Sequence, residues 1–154
     1  MSAHAAVRIT SADLLGRFFD WTYAYRFGPC EHDAVVATLR GEDGAILSQA
    51  FHFPSRTHPA VFARRDLGLE ACVSRANGVW TVDIATRHLA RHVQVVAPGF
   101  IPRDDWFHVA PGMPARVTLV PLDVARRGHD ADAPPRVEIR AVNSGPTVHA
   151  TPAA

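Results

Sequence analysis

From Ala34 onward, apolar and polar residues alternate with a period of two, and that rhythm limits what the chain can fold into more than any other feature. Side chains along a strand point to opposite faces in turn, so the pattern predicts half-buried strands rather than helices. Over Ala34 to Leu39 one face takes Val35, Ala37 and Leu39. A Gly41-Glu42-Asp43-Gly44 turn follows, and then Leu47, Phe51 and Phe53 share a face in the next run. Two such runs about a Gly/Asp-rich turn predict a β-hairpin, which Pro54 ends because it has no N–H to donate.

A second set of alternations fills the rest of the chain. Leu69, Ala71 and Val73 alternate with Glu70, Cys72 and Ser74; after a turn at Ala76-Asn77-Gly78, Trp80, Val82 and Ile84 alternate with Thr81, Asp83 and Ala85. Further strands are expected at His92–Val96, Ala115–Val120 and Arg136–Ala141, with a turn at Pro111-Gly112-Met113-Pro114. Short strands at this spacing predict an all-β chain, an immunoglobulin-like antiparallel β-sandwich. Helical signal is confined to Ser11–Gly16, with Ser11 as cap and Gly16 as stop. The aromatic stretch Phe18 to Phe27 reads as a strand or as an extended packing segment.

The composition shifts at Pro54-Ser55-Arg56-Thr57-His58-Pro59, which divides the chain into a partial β unit over 1–57 and a sandwich over 58–145. Three or four strands are expected in the first and a seven-strand set over 60–143 in the second. The polar segment Arg126 to Pro135 is expected to be a mobile loop, and residues 146–154, from about Asn143 on, a frayed tail. The partial unit leaves apolar strand edges that need a neighbour: the sandwich, a second copy, or the rest of its own domain.

Composition excludes several classes of function. A net charge of +1, from sixteen arginines spread along the chain with no lysine, gives no basic stripe for nucleic acid. That arginine usage, with abundant alanine, reads as the codon bias of a GC-rich bacterial genome. No apolar run reaches the roughly 18 residues of a membrane span, and Met1 to Thr10 lacks the features of a secretory signal. The expected location is the cytoplasm, or the periplasm or exterior if a targeting segment lies upstream. Cys30 and Cys72 fit no metal spacing; a disulfide is open to them, and a reducing compartment favours two buried thiols.

Candidate chemistry is sparse. Among nine histidines, His88 and His92 are four apart, but they flank a strand start rather than share a helix face, so no metal or other cofactor is expected. Asp104 and Asp105 are the only acidic pair beside aromatics, and neighbours on a strand point apart, which suits cooperating acid and base poorly. There is no G-x-S-x-G elbow and no glycine-rich phosphate loop. Trp21, Trp80 and Trp106 could stack on sugars. Trp80 shares a face with Val82 and Ile84 and reads as core, whereas Trp106 is the most open of the three.

One stretch goes beyond pattern. Val79 to Val96 reads V-W-T-V-D-I-A-T-R-H-L-A-R-H-V-Q-V-V, and Asp104 to Leu122 reads D-D-W-F-H-V-A-P-G-M-P-A-R-V-T-L-V-P-L. This resembles the C-terminal immunoglobulin-like domain of β-mannosidases of glycoside hydrolase family 2. Asp104, Asp105, Trp106, Phe107, Pro111, Gly112, Val117 and Leu119 occupy the places of that family's acidic-aromatic segment, Pro-Gly turn and following strand, with Asp105 where Asn is commoner. Ala34 to Pro54 looks like the end of the preceding sandwich domain, so the resemblance covers residues 30–143.

The resemblance implies a parent enzyme that hydrolyses terminal β-mannosides, using two glutamates on a (β/α)₈ barrel, one of them preceded by Asn. Here Cys30, Gly41, Leu69 and Val137 precede the four glutamates, and 154 residues are too few for a barrel of about 250. No catalytic residue carries over. The expectation is an accessory module that packs on the catalytic barrel and the other domains of its enzyme. The alternative is a free-standing module that binds a β-mannoside or manno-oligosaccharide through Trp106, Phe107 and Asp105, with Phe100 nearby.

Overall fold

The computed structural model describes residues 9–22, 32–53, 63–122 and 133–153. The chain divides into two compact units, 1–58 and 59–154. The linker stretch 54–59, Cys30, the second half of the Phe18 to Phe27 stretch and the greater part of the 126–135 segment lie outside the described residues.

In the first unit a single helical turn, α1 (Ser11–Leu15), is capped by Thr10 and not by Ser11. The Thr10 hydroxyl accepts from the Asp13 N–H, and the Asp13 carboxylate accepts from the Thr10 N–H. This reciprocal box starts the turn one residue earlier than its composition suggests. Gly16 ends it at φ 67°, which glycine tolerates. Residues 18–22 form neither strand nor helix, and Phe19 packs edge-on to Trp21 with ring centroids 5.5 Å apart.

The hairpin pairs β1 (Val35–Arg40) with β2 (Ile46–His52). Its faces differ from expectation. The register sets Val36 opposite Phe51 and Thr38 opposite Gln49, so Val35, Ala37 and Leu39 lie on the other face from Phe51. A bulge at Leu39/Arg40 skips Leu47. A single inserted residue shifts parity, because side chains alternate with a period of two. Leu39 and Leu47 are left 62% and 65% exposed, and no residue of either strand is buried. Among the described residues the unit has two strands, β1 and β2, and the rest of the three or four expected lies outside them.

The second unit is a β-sandwich. Its strands are β3 (Glu70–Ala76), β4 (Val79–Ala85), β5 (Ala90–Val96), β6 (Phe100–Pro102), β7 (Phe107–Val109), β8 (Ala115–Pro121), β9 (Glu138–Arg140), β10 (Val148–His149) and β11 (Thr151–Pro152). One sheet has the order β11-β3-β4-β8-β6 and the other β10-β9-β5-β7. The strands β3-β4-β8 facing β5-β9-β10 follow the A-B-E and C-F-G order of an immunoglobulin-type sandwich. The short β6 and β7 take one edge of each sheet.

Local chemistry sets these elements. Asn77 and Gly78 both take positive φ, 51° and 77°, the two-residue turn whose twist matches flanking strands. Val73, Val82, Ile84, Val117 and Leu119 turn inward from one sheet, and Val93, Val95, Val109, Val137 and Ile139 from the other, into one core. Trp80 packs against that core half-buried, with the Arg75 guanidinium 5.4 Å above its ring.

Residues 146–153 are not a frayed tail. β10 pairs with β9, and β11 runs parallel to β3 and covers its edge. Val148 and Ala150 pack on the core, which is why the segment docks. Asn143, expected to begin the tail, is buried: its Oδ1 accepts from the Arg91 N–H and its Nδ2 donates to the Leu89 carbonyl, each at 2.9 Å. Cys72 is a free thiol, half-buried on the outer face rather than buried, because Ala71 and Val73 take the inward positions.

Candidate functional site

The acidic-aromatic segment lies in the crossing from β6 to β7, between the edges of the two sheets. Its backbone is tied to both. Arg103 donates its N–H to the Thr118 carbonyl of β8 at 2.8 Å. On the other side, Asp105 Oδ1 accepts from the Val95 N–H of β5 at 2.9 Å and from the Trp106 N–H at 3.1 Å. Asp104 Oδ1 in turn accepts from the Asp105 N–H at 3.0 Å.

The carboxylate of Asp105 therefore stands where the carbonyl of a longer edge strand would stand, and it extends the β5–β7 ladder past the end of β7. Val95 is only 3% exposed, so its N–H requires a partner. Asp104 and Asp105 act in series as backbone acceptors and do not face each other as an acid–base pair.

Trp106 follows at φ 61°, a left-handed conformation rare for a bulky residue, and is 55% exposed. Phe107 turns the other way and packs against the core opposite Val93, and Phe100 also packs on the core. The three carbohydrate-contact candidates thus separate: Trp106 faces solvent, Phe107 is a packing residue, and the Asp105 carboxylate is taken up by the backbone.

The histidines fall into a different arrangement from the His88–His92 spacing. His92 sits in a bulge of β5 between Ala90 and Val93, at φ 47°. Its N–H donates to His108 Nδ1 on β7 at 3.1 Å, and the two rings meet edge to face with centroids 4.7 Å apart. Burial pushes the His108 imidazole down to about 4, and the charges of His92 and Arg91 act in the same direction. His108 thus holds a neutral ring that accepts at Nδ1. Among the described residues no three His, Cys, Asp or Glu side chains come together at a metal-binding spacing.

The outer face of the five-stranded sheet is ordinary surface. Arg116 grips Asp83 through two bonds, at 2.6 and 3.0 Å, and the Ser74 and Thr81 hydroxyls share a bond at 3.0 Å. A shallow hollow of about 470 Å³ opens at the β3 edge between Leu69, Cys72, Asp83, Pro114 and His149. Sequence reasoning missed the His92–His108 pair, since the bulge that joins them changes the strand's parity.

Fold and geometry define the class: an all-β chain whose second unit is a β-sandwich carrying one exposed tryptophan whose N–H is held by Asp105. No family model matches the chain, and no curated protein matches it.

Proposed function

We propose that this chain is a non-catalytic accessory module, the C-terminal region of a β-mannosidase of glycoside hydrolase family 2, which packs on and supports the catalytic barrel. The observation that carries the reading is the contrast between the two units. All fifteen residues of the core cluster belong to the sandwich. The β1–β2 hairpin has no buried residue and holds Leu39 and Leu47 in solvent. A two-stranded sheet is marginal in water, and its open edges and apolar side chains are what the last strands of a larger sheet present. This supports a chain whose first unit is completed by other domains, and the residues resembling the mannosidase family supply their identity.

The test has two arms. Purified chain is expected to release no chromophore from a p-nitrophenyl β-mannoside above a no-protein control, and measurable hydrolysis overturns the reading. A family 2 β-mannosidase from the same organism, truncated before the end of its penultimate domain, is expected to co-elute with the chain in gel filtration and to melt higher in its presence. Separate elution with an unchanged melt also overturns it.

A further inference from the structure

We infer that residues 146–153 form a detachable clasp that two copies of the chain exchange, each docking its C-terminal strands on the other's sandwich. The clasp bridges both sheets at one side. Val148 and His149 pair with Ile139 and Glu138 of β9, and Thr151 and Pro152 pair with Cys72 and Val73 of β3. Between them the Ala150 N–H donates to the Val137 carbonyl, and beyond them the Ala153 N–H donates to the Val73 carbonyl. Among the described residues β10 and β11 are edge strands, so the clasp is held from one side only. No residue from 146 to 153 is buried, and a hollow of about 470 Å³ opens where Val148, His149 and Thr151 meet Leu69 to Cys72. Few buried contacts and a terminal position put such a segment at the low end of local stability.

The root of the clasp is fixed and its hinge is not. Asn143 and Ser144 are buried, Asn143 bonds Arg91 and Leu89, and the Gly145 N–H donates to the Arg65 carbonyl. Gly145, Pro146 and Thr147 are exposed and belong to no strand. The Ser144 hydroxyl donates to the Pro146 carbonyl and bends this hinge back, whereas the residue before a proline favours extended backbone. Extending the hinge carries the clasp outward and uncovers the edges of β3 and β9, rows of open N–H and C=O groups that call for a strand. A second copy holds a segment whose register already fits those edges, and reciprocal exchange closes a two-fold dimer without any new interface. Every contact of the clasp is remade between copies, so the balance rests on the hinge and on concentration. A short tether holds its segment at an effective concentration in the millimolar range, and exchange should therefore become evident at about 1 mM protein.

The exchange is independent of the mannosidase reading, and its failure leaves that reading where it stands. The test is a disulfide trap in the full chain. Cys72 is a free thiol paired with Thr151, and paired residues of adjacent strands lie about 4.8 Å apart, within the Cα separation a disulfide spans. Thr151→Cys is made in a Cys30→Ser background, held just below its melting midpoint so that clasps open, then cooled and oxidised. At about 10 µM, far below the effective concentration, the expected product is a monomer bridged internally. At about 1 mM a closed dimer is expected, with two bridges that each join Cys72 of one copy to position 151 of the other. Non-reducing gels and mass mapping of the bridged peptides distinguish the two. The parent chain, treated alike, should show a dimer by light scattering that rises over the same range. Internally bridged monomer alone at the higher concentration overturns the exchange. So does a ladder of larger oligomers, a dimer that survives Cys72→Ser, or a parent chain that stays monomeric.

Discussion

Replacing Asp105 separates a side chain that serves the backbone from one that serves a ligand. Its Oδ1 accepts from the N–H groups of Val95 and Trp106, and Val95 is almost fully buried. Asp105→Ala leaves the Val95 N–H without its acceptor in a site too enclosed for easy hydration, at a cost of about 1–3 kcal/mol. Asp105→Asn keeps a carbonyl oxygen in the same place and gives up only the charge assistance, about 1 kcal/mol or less. For a unit of this size each kcal/mol moves the melting temperature by roughly 4–8 °C. At about 2 kcal/mol, Asp105→Ala should therefore lower Tm by roughly 8–16 °C, and Asp105→Asn by less than half of that. Thermal unfolding followed by circular dichroism at neutral pH measures both. The reasoning fails if the alanine variant melts within about 3 °C of the parent, or if asparagine costs as much as alanine.

Three further outcomes test the same structure. Asn143→Ala removes a buried side chain that bonds both the Arg91 N–H and the Leu89 carbonyl, and should cost about 2–4 kcal/mol by urea unfolding; a loss under about 1 kcal/mol would return the segment to the status of a tail. Because the folded pKa of His108 lies below its unfolded value, the stability it contributes is complete above about 6.5 and is lost as pH falls toward about 4. Discounted for partial solvent screening, the loss is roughly 1–2 kcal/mol; urea midpoints of parent and His108→Gln at pH 7.5 and 4.5 should show a smaller fall in the variant, and equal falls would refute the assignment. Ile139→Ala should cost about 2–5 kcal/mol, whereas Leu39→Ser in the hairpin should stay within about 0.5 kcal/mol; comparable losses would contradict the division between a packed sandwich and an open hairpin.

What was legible in the sequence follows from where alternation is undisturbed. Glu70 to Ala85 alternates cleanly about Asn77-Gly78, and both strands and their turn lie where that pattern predicts. Alternation misleads wherever a bulge intervenes. The irregularity at Leu39/Arg40 turns the apolar set of β1 away from Phe51, and the one after Ala90 brings His92 against His108. β6, β7, β10 and β11 are two or three residues long, too short to show a period, and they exist because their neighbours supply the ladder. At the site, the openness of Trp106 was readable from its place beside Asp104 and Asp105. The bond by which Asp105 holds the Val95 N–H of β5 was not, because strand register is a long-range property.

β5 lies in the interior of its sheet, yet three of its amides donate to side chains: Arg91 to Asn143, His92 to His108 and Val95 to Asp105. Amide exchange along this strand is thereby placed under separate side-chain controls. One substitution should release one proton to solvent deuterium without loosening the adjacent ladder. The His92 amide should exchange faster once its imidazole acceptor takes up a proton. A core strand of this kind can be opened one bond at a time, which a strand held only by backbone does not permit.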